Sequence, residues 1–197
     1  MYAGHLDLTQ PLVWTVDGAM TDADCEQYRQ RLRQGRAEVA PVIGRHGVEI
    51  DQAVRNNTRV MWDDEQEAND LLARVAAHVP KRLLGQTLIG GNPRLRLYRY
   101  QPEQHHSAHW DTVVHFEGGA RSLLTLVFYL NDDFEGGQTD FPELTKTVVP
   151  RRGSALLFQH RIVHTACPVQ RGEKHVLRTD LVYGPADFHG PLRIQTG

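Results

Sequence analysis

The spacing of hydrophobic and polar positions changes near residue 93. Upstream, Leu71, Leu72, Val75 and Val79 recur at helical spacing behind a cap at Asp63 or Asp64, which predicts a helix ending at Pro80. A second helix is predicted from Thr21 or Asp22 to about Gln34, stopped by Gly35. Residues 12–16 alternate like a strand and run into the turn pair Asp17-Gly18. Residues 57–62 also read as a strand, and the polar, glycine-containing stretch 44–54 reads as a loop or weak hairpin.

Downstream, short apolar or alternating segments recur at 95–100, 105–113, 123–130, 139–141, 147–149, 155–158, 162–166 and 175–183. Turn-rich breaks at 117–119, 131–137, 150–153 and 170–173 separate them. About eight short strands with no helix between them predict a double-sheet jelly roll or barrel. The expected fold class is therefore mainly β with flanking helices (α+β), a double-stranded β-helix (jelly-roll, cupin-like) core with supporting N-terminal helices. One domain is expected over 1–197: residues 1–92 brace the core, 93–184 form it, and 185–197 are a C-terminal tail.

Composition narrows the function classes. The 197 residues are 40% hydrophobic and 23% charged, which suits one globular domain. A chain of this length buries about 70% of its unfolded surface, so no disulfide staple is required. The net charge of -2 gives no reason to expect a nucleic-acid partner. The run Arg29, Arg31, Arg33, Arg36 alternates with Gln and Glu and reads as a solvated helix face. Cys25 and Cys167 lie far apart and outside any CxxC pair, which argues against a disulfide framework or zinc knuckle. The first residues have no basic stretch leading into a long apolar one, and no apolar run reaches membrane length. A soluble, reduced, cytoplasmic protein without a membrane partner is expected.

The candidate chemistry lies in His109-Trp110-Asp111, followed 53 residues later by His164 and ten further on by Lys174. A strand puts residues i and i+2 on one face, so His109 and Asp111 are expected to address one point together. Two imidazoles and one carboxylate on one side of a metal leave its other positions open, the arrangement of non-haem Fe(II) oxygenases. The His-x-acid pair is cheap, for chance supplies about one in a chain like this. His5-Leu6-Asp7 and His115-Phe116-Glu117 fit it too. His5 lies near the N-terminus and His115 leads into a Gly-Gly turn, so only His109 and Asp111 are expected on a strand of the β region with a third histidine and a cation downstream.

Four segments, YQPEQHHSAHWD (100–111), LTLVFYLNDDFEGGQTDFPE (124–143), VVPRRGSALLF (148–158) and HTACPVQRGEKHVLRTD (164–180), carry a resemblance. Over nearly half its length the chain resembles the prolyl 4-hydroxylase branch of the 2-oxoglutarate/Fe(II) oxygenases. The resemblance implies a double-stranded β-helix core and a dioxygenase that hydroxylates an unactivated C–H bond, releasing succinate and CO2. Its cofactors would be Fe(II), 2-oxoglutarate as cosubstrate and O2, with ascorbate a candidate addition. His109, Asp111 and His164 would ligate iron, and retention of the Asp111 carboxylate points to hydroxylation rather than halogenation. Lys174 would hold the distal carboxylate of 2-oxoglutarate, Tyr100 would hydrogen-bond the cosubstrate, and Thr125 would lie beside that distal carboxylate. Thr139 and Phe141 match a segment read as architectural.

Arg178 competes with Lys174, because guanidinium grips a carboxylate in bidentate fashion. Four residues on a strand span roughly 13 Å, so only one of them serves, and spacing favours Lys174. Arg178 is then left to pair with Asp180 or to face the substrate. Gln159, Glu143 and backbone carbonyls are all candidates to orient the iron histidines. On the substrate side, Arg55, Asn57 and Arg59 share one face if 55–59 is a strand. Prolyl hydroxylases carry an Arg-Thr/Ser-Ser segment at a similar remove; here asparagine replaces the serines. Trp62, His106, His105 and Trp110 are further candidates for the cleft rim. The substrate is expected to be a peptidyl residue such as proline, or else a free amino acid or small natural-product precursor. A metal-binding β-barrel without turnover is the remaining class. Oligomeric state stays open.

Overall fold

The computed structural model describes residues 5–44 and 47–195. The chain opens with β1 (Val13–Val16), α1 (Asp22–Gln34), β2 (Glu38–Val39), the hairpin β3 (Val42–Gly44) and β4 (Gly47–Glu49), β5 (Thr58–Asp63) and α2 (Glu65–Ala73). It continues through β6 (Arg82–Leu83), β7 (Gln86–Gly91), β8 (Arg94–Tyr100), β9 (His106–His109) and β10 (Arg121–Tyr129). The remaining strands are β11 (Glu135–Gly136), β12 (Thr139–Phe141), β13 (Lys146–Val148), β14 (Ala155–Gln159), β15 (His164–Ala166), β16 (Val169–Arg171) and β17 (Lys174–Gly184).

A large antiparallel sheet runs in the order β1-β14-β10-β17-β8-β5-β2, with β7 pairing the far end of β17 and β6 pairing β7. A smaller antiparallel sheet, β13-β12-β15-β9, stacks on its inner face, giving the jelly roll expected from the strand count. Strand alternation separates two cores. Leu124, Leu126 and Phe128 of β10, with Leu95, Leu97, Leu157, Leu177 and Leu181, face the helices and meet Cys25, Leu32, Ala68 and Leu71. The intervening residues, among them Tyr98, Tyr100, Tyr129, Leu156, Phe158 and Val176, fill the space between the sheets. The central strands are therefore buried on both faces, and their sequences read as continuous apolar runs.

α1 begins where Thr21 and Asp24 cap each other: the Asp24 amide donates to Thr21 Oγ1 at 3.2 Å and the Thr21 amide donates to Asp24 Oδ2 at 2.9 Å. Gly35 ends it by closeness to β5, since a Cβ there would lie 2.9 Å from the Val60 methyls. α2 is shorter than predicted. It stops at Ala73, and Ala76–His78 form a 3-10 turn that still buries Val75 and Val79.

The first 92 residues do more than brace: β1, β2, β5, β6 and β7 are strands of the large sheet. The C-terminal tail is tied down as well, with Ile194 bridging Phe116 and the Gln195 amide donating to the His115 carbonyl. β3 and β4 realise the weak hairpin, although Arg45 and His46 at its tip lie outside the described residues. Among the described residues, no helix is long and apolar enough to cross a membrane.

Candidate metal centre

His109 closes β9 and His164 opens β15, and the antiparallel register sets them directly opposite each other. Their ring centroids are 4.2 Å apart. The His109 Nδ1 lies 2.7 Å from the Ser107 carbonyl and the His164 Nδ1 lies 3.0 Å from the Ile162 carbonyl. A carbonyl only accepts, so each Nδ1 carries the proton and each Nε2 keeps a free lone pair. Backbone oxygens thus orient both rings. Gln159 is engaged elsewhere, pinning the N-terminal segment through Asp7 and Pro11.

Asp111 reaches the same point by a different route from the one expected. β9 ends at His109, so 110–113 is not strand and the shared-face argument does not place the carboxylate. Its two oxygens are instead held from the large sheet. Thr125 Oγ1 donates to Oδ2 at 2.6 Å, and Arg178 Nη1 lies 2.8 Å from Oδ1. His109 Nε2 is then 3.9 Å from Oδ1 and His164 Nε2 is 3.8 Å from Oδ2. Ligand atoms of the three residues all lie within 4.8 Å of one another, and no other such group of three occurs among the described residues.

Electrostatics complete the donor set. Burial, then the neighbouring His164, pushes His109 down to about 3, and burial likewise lowers His164. Burial alone would raise Asp111, but Arg178 and the two imidazoles hold it well below the usual carboxylate range. Two neutral imidazoles and one ionised carboxylate, desolvated together, suit a divalent cation.

The cleft beside these ligands has a cavity volume of about 60 Å³, opens to solvent and is lined from both sheets. At its far end Lys174, only 3% exposed, donates from Nζ to the Gly137 carbonyl at 2.6 Å. Its ammonium lies 5.4 Å from the Tyr100 ring centre and 5.5 Å from that of Tyr129. Burial pulls it down to about 8. Beside it the Tyr129 hydroxyl and Thr139 Oγ1 are 2.8 Å apart. Tyr129, which no sequence motif marks as a site residue, and Thr139, expected to be architectural, both line the cleft. The available signal was period-two alternation along β10, which puts Tyr129 on the face of Thr125.

Arg178 proves to be the partner of two acids. Besides Asp111 it pairs with Asp180, Nη2 to Oδ1 at 3.0 Å, and Asp180 also receives Asn92 at 3.2 Å and Arg96 at 3.4 Å. Thr125 likewise differs from expectation, its hydroxyl being given to the Asp111 carboxylate.

The substrate-side residues divide. Arg55 lines the cleft at 8% exposure, its Nε donating to Asn57 Oδ1 at 2.8 Å and its guanidinium 4.7 Å from the Tyr98 ring centre. Asn57, fully buried, supports Arg55. The three do not share a strand face, because β5 starts only at Thr58; Arg59 pairs with Glu38 at 2.9 Å, away from the cleft lining. Trp62 is corrected also: it packs on the helix-side core, its Nε1 donating to Glu67 at 2.7 Å under Arg31. His106 stacks on His109 at 3.4 Å and lines the cleft. His105 is tied to the backbone of 53 and 103, and Trp110 is 54% exposed with Arg161 over its ring.

Residues 95–179 match the sequence profile described as the 2OG-Fe(II) oxygenase superfamily. Prolyl 4-hydroxylase 1 of Arabidopsis thaliana is 23% identical over 190 residues, covering 83% of this chain. The chain spans 66% of that protein, just under two thirds. A prolyl-4-hydroxylase of Pseudomonas putida superposes with a TM-score of 0.61 at 18% identity, over 89% of this chain and 95% of its own. A Trichoplax adhaerens prolyl hydroxylase, solved with a peptide fragment of the hypoxia inducible factor oxygen degradation domain, gives 0.65 at 16% identity, over 88% and 84%. At these identities the solved structures establish the shared fold.

Proposed function

We propose, from the match of residues 95–179 to the 2OG-Fe(II) oxygenase superfamily, that this chain is an Fe(II)- and 2-oxoglutarate-dependent dioxygenase hydroxylating an unactivated C–H bond. The observation that carries the reading is the convergence of His109 Nε2, His164 Nε2 and the Asp111 carboxylate beside a cleft whose far end holds Lys174. These residues fit the group: three deprotonated donors for a ferrous ion, and a buried ammonium that pairs with no acid among the described residues, for the distal carboxylate of 2-oxoglutarate. Bound there, iron and 2-oxoglutarate supply O2-dependent decarboxylation to succinate and CO2 coupled to hydroxylation.

The chain's own residues bind, orient and exclude water. Ser107 and Ile162 carbonyls fix the imidazoles, and Thr125 and Arg178 fix the carboxylate. Tyr100, Tyr129 and Thr139 surround the Lys174 ammonium, so a carboxylate arriving there meets hydroxyl donors as well as the charge. The names of the relatives support a peptidyl residue such as proline as substrate. A free amino acid or small precursor is the second reading, favoured by Arg55, a cleft cation beyond the one the cosubstrate needs. A cytoplasmic setting belongs to the same proposal, supported by the free thiols of Cys25 and Cys167.

Anaerobic addition of Fe(II) and 2-oxoglutarate is expected to produce a weak visible charge-transfer band. His109→Ala abolishes it under this assignment. A band that survives the substitution refutes the ligand set.

A further inference from the structure

Resting on that reading, we infer that the substrate presents a carboxylate to Arg55. The cleft and the network behind it contain Arg55, Lys174, Arg178, Asp111 and Asp180, with Arg96 at the part-exposed edge of the network. Arg178 lies between its two carboxylates at 2.8 and 3.0 Å. A divalent ion and a dicarboxylate cosubstrate, added to Asp111, Asp180, Arg178, Lys174 and Arg96, leave one positive charge, and Arg96 carries it at the part-exposed edge. Arg55 is left over.

Leaving a guanidinium buried without a counter-charge is expensive, and such groups are paired in proteins as a rule. Arg55 is 8% exposed, and no carboxylate pairs with it among the described residues. Its Nε is spent on Asn57 Oδ1, which fixes the plane of the group, and Tyr98 supports one face. Among the described residues the guanidinium otherwise meets only the neutral hydroxyls of Tyr98 and Tyr100, so its charge is unmatched, and its planar fork is the geometry that takes a carboxylate bidentately. Backbone contacts fix its distance from the metal ligands: Arg55 bridges His106, whose ring stacks on His109. A substrate gripped by Arg55 therefore lies along the His106 and His109 edge of the cleft, apart from the Lys174 end.

Two sources provide a carboxylate: the free α-carboxylate of an amino or imino acid, or an acidic side chain beside the target residue in a peptide. Saturation-transfer NMR on the Zn(II)- and 2-oxoglutarate-loaded protein separates them. The probes are free L-amino acids including L-proline, their methyl esters, an acetylated and amidated proline peptide without acids, and the same peptide with glutamate beside proline. Signal from the free acids but not the esters identifies the α-carboxylate; signal from only the glutamate peptide identifies the side chain. Both support the inference, provided Arg55→Gln weakens the positive probe at least tenfold and Arg55→Lys less so, with far-UV circular dichroism unchanged. Equal binding of esters or of the neutral peptide, indifference to Arg55→Gln, or no signal from any carboxylate probe overturns it. If the wild type takes up no Zn(II) or no 2-oxoglutarate, the oxygenase reading itself fails; uptake of both without carboxylate dependence defeats the Arg55 inference alone.

Discussion

At the scale of single residues the cleft is organised by buried charges whose partners differ. Lys174 has its folded value near 8, against roughly 10.4 in an unfolded chain. Below about 8 the ammonium is charged in both states and its burial cost is fully present. As pH rises from about 8 toward 10.4 the unfolded chain holds the proton longer, so the unliganded protein gains stability. On the proposed role of Lys174, cosubstrate binding is expected to run the opposite way, because the charge proposed to attract the distal carboxylate is lost above about 8. The dissociation constant of 2-oxoglutarate, measured on Zn(II)-loaded protein, is expected to rise as pH passes through about 8, and Lys174→Met should remove that dependence along with most of the affinity. Arg178→Gln tests the other cation. It leaves Asp111 and Asp180 as adjacent buried acids, and removing one partner of a buried pair costs about 3–5 kcal/mol. The expected result is a lowered melting temperature that added Zn(II) partly restores. A drop equal with and without metal would mean that Arg178 does not act through Asp111. The candidate triad and Lys174 could be picked out in the sequence only by joining motif spacing to the family resemblance, since the His-x-acid pair alone recurs by chance. The Arg178–Asp180 pair was legible too, but the Arg178–Asp111 pair was not, since it depends on Asp111 leaving β9 and meeting a strand far away in the chain.

Elements carry these residues into place, and their legibility followed the strength of local signals. α1 reads clearly from its cap at Thr21. β7 was missed because Gln86–Gly91 ends in two glycines, which resemble a turn. Those glycines serve a close approach: a Cβ on Gly91 would lie 2.6 Å from the Ala68 carbonyl of α2. The turn before β12 matters more for the site. Gly137 has φ +67, its carbonyl accepts the Lys174 ammonium, and a Cβ there would meet Phe134 at 2.9 Å and Lys174 Cδ at 3.2 Å. Gly137→Ala combines left-handed backbone strain of about 1–2 kcal/mol with a displaced lysine. Weaker 2-oxoglutarate binding is expected, with the metal affinity of His109, Asp111 and His164 retained. Isothermal titration with Zn(II), then with 2-oxoglutarate, measures the two separately, and loss of both together would contradict the division of labour.

Across the whole molecule, the large sheet separates a core that holds the fold from a core that holds the chemistry. β10 contributes to both through alternate residues: Leu124, Leu126 and Phe128 toward the helices, Thr125, Val127 and Tyr129 toward the cleft. The same is true of β17, where Lys174, Val176 and Arg178 line the cleft and Leu177 and Leu181 face the helices. Side chains on opposite faces of one strand touch different neighbours, so their substitutions should be nearly independent. Leu126→Ala, fully buried on the helix side, is expected to cost about 2–5 kcal/mol in chemical denaturation. The folded fraction of that variant should still develop the charge-transfer band with Fe(II) and 2-oxoglutarate. Thr125→Val, one position away on the other face, removes the hydroxyl that orients Asp111 with little change in volume. It should cost less stability than Leu126→Ala but weaken metal binding about 10–100-fold, the range seen when groups orienting a metal ligand are removed. If Leu126→Ala abolishes metal binding in protein that circular dichroism shows to be folded, the sheet transmits packing defects from one face to the other. The two cores would then have to be treated as one cooperative unit.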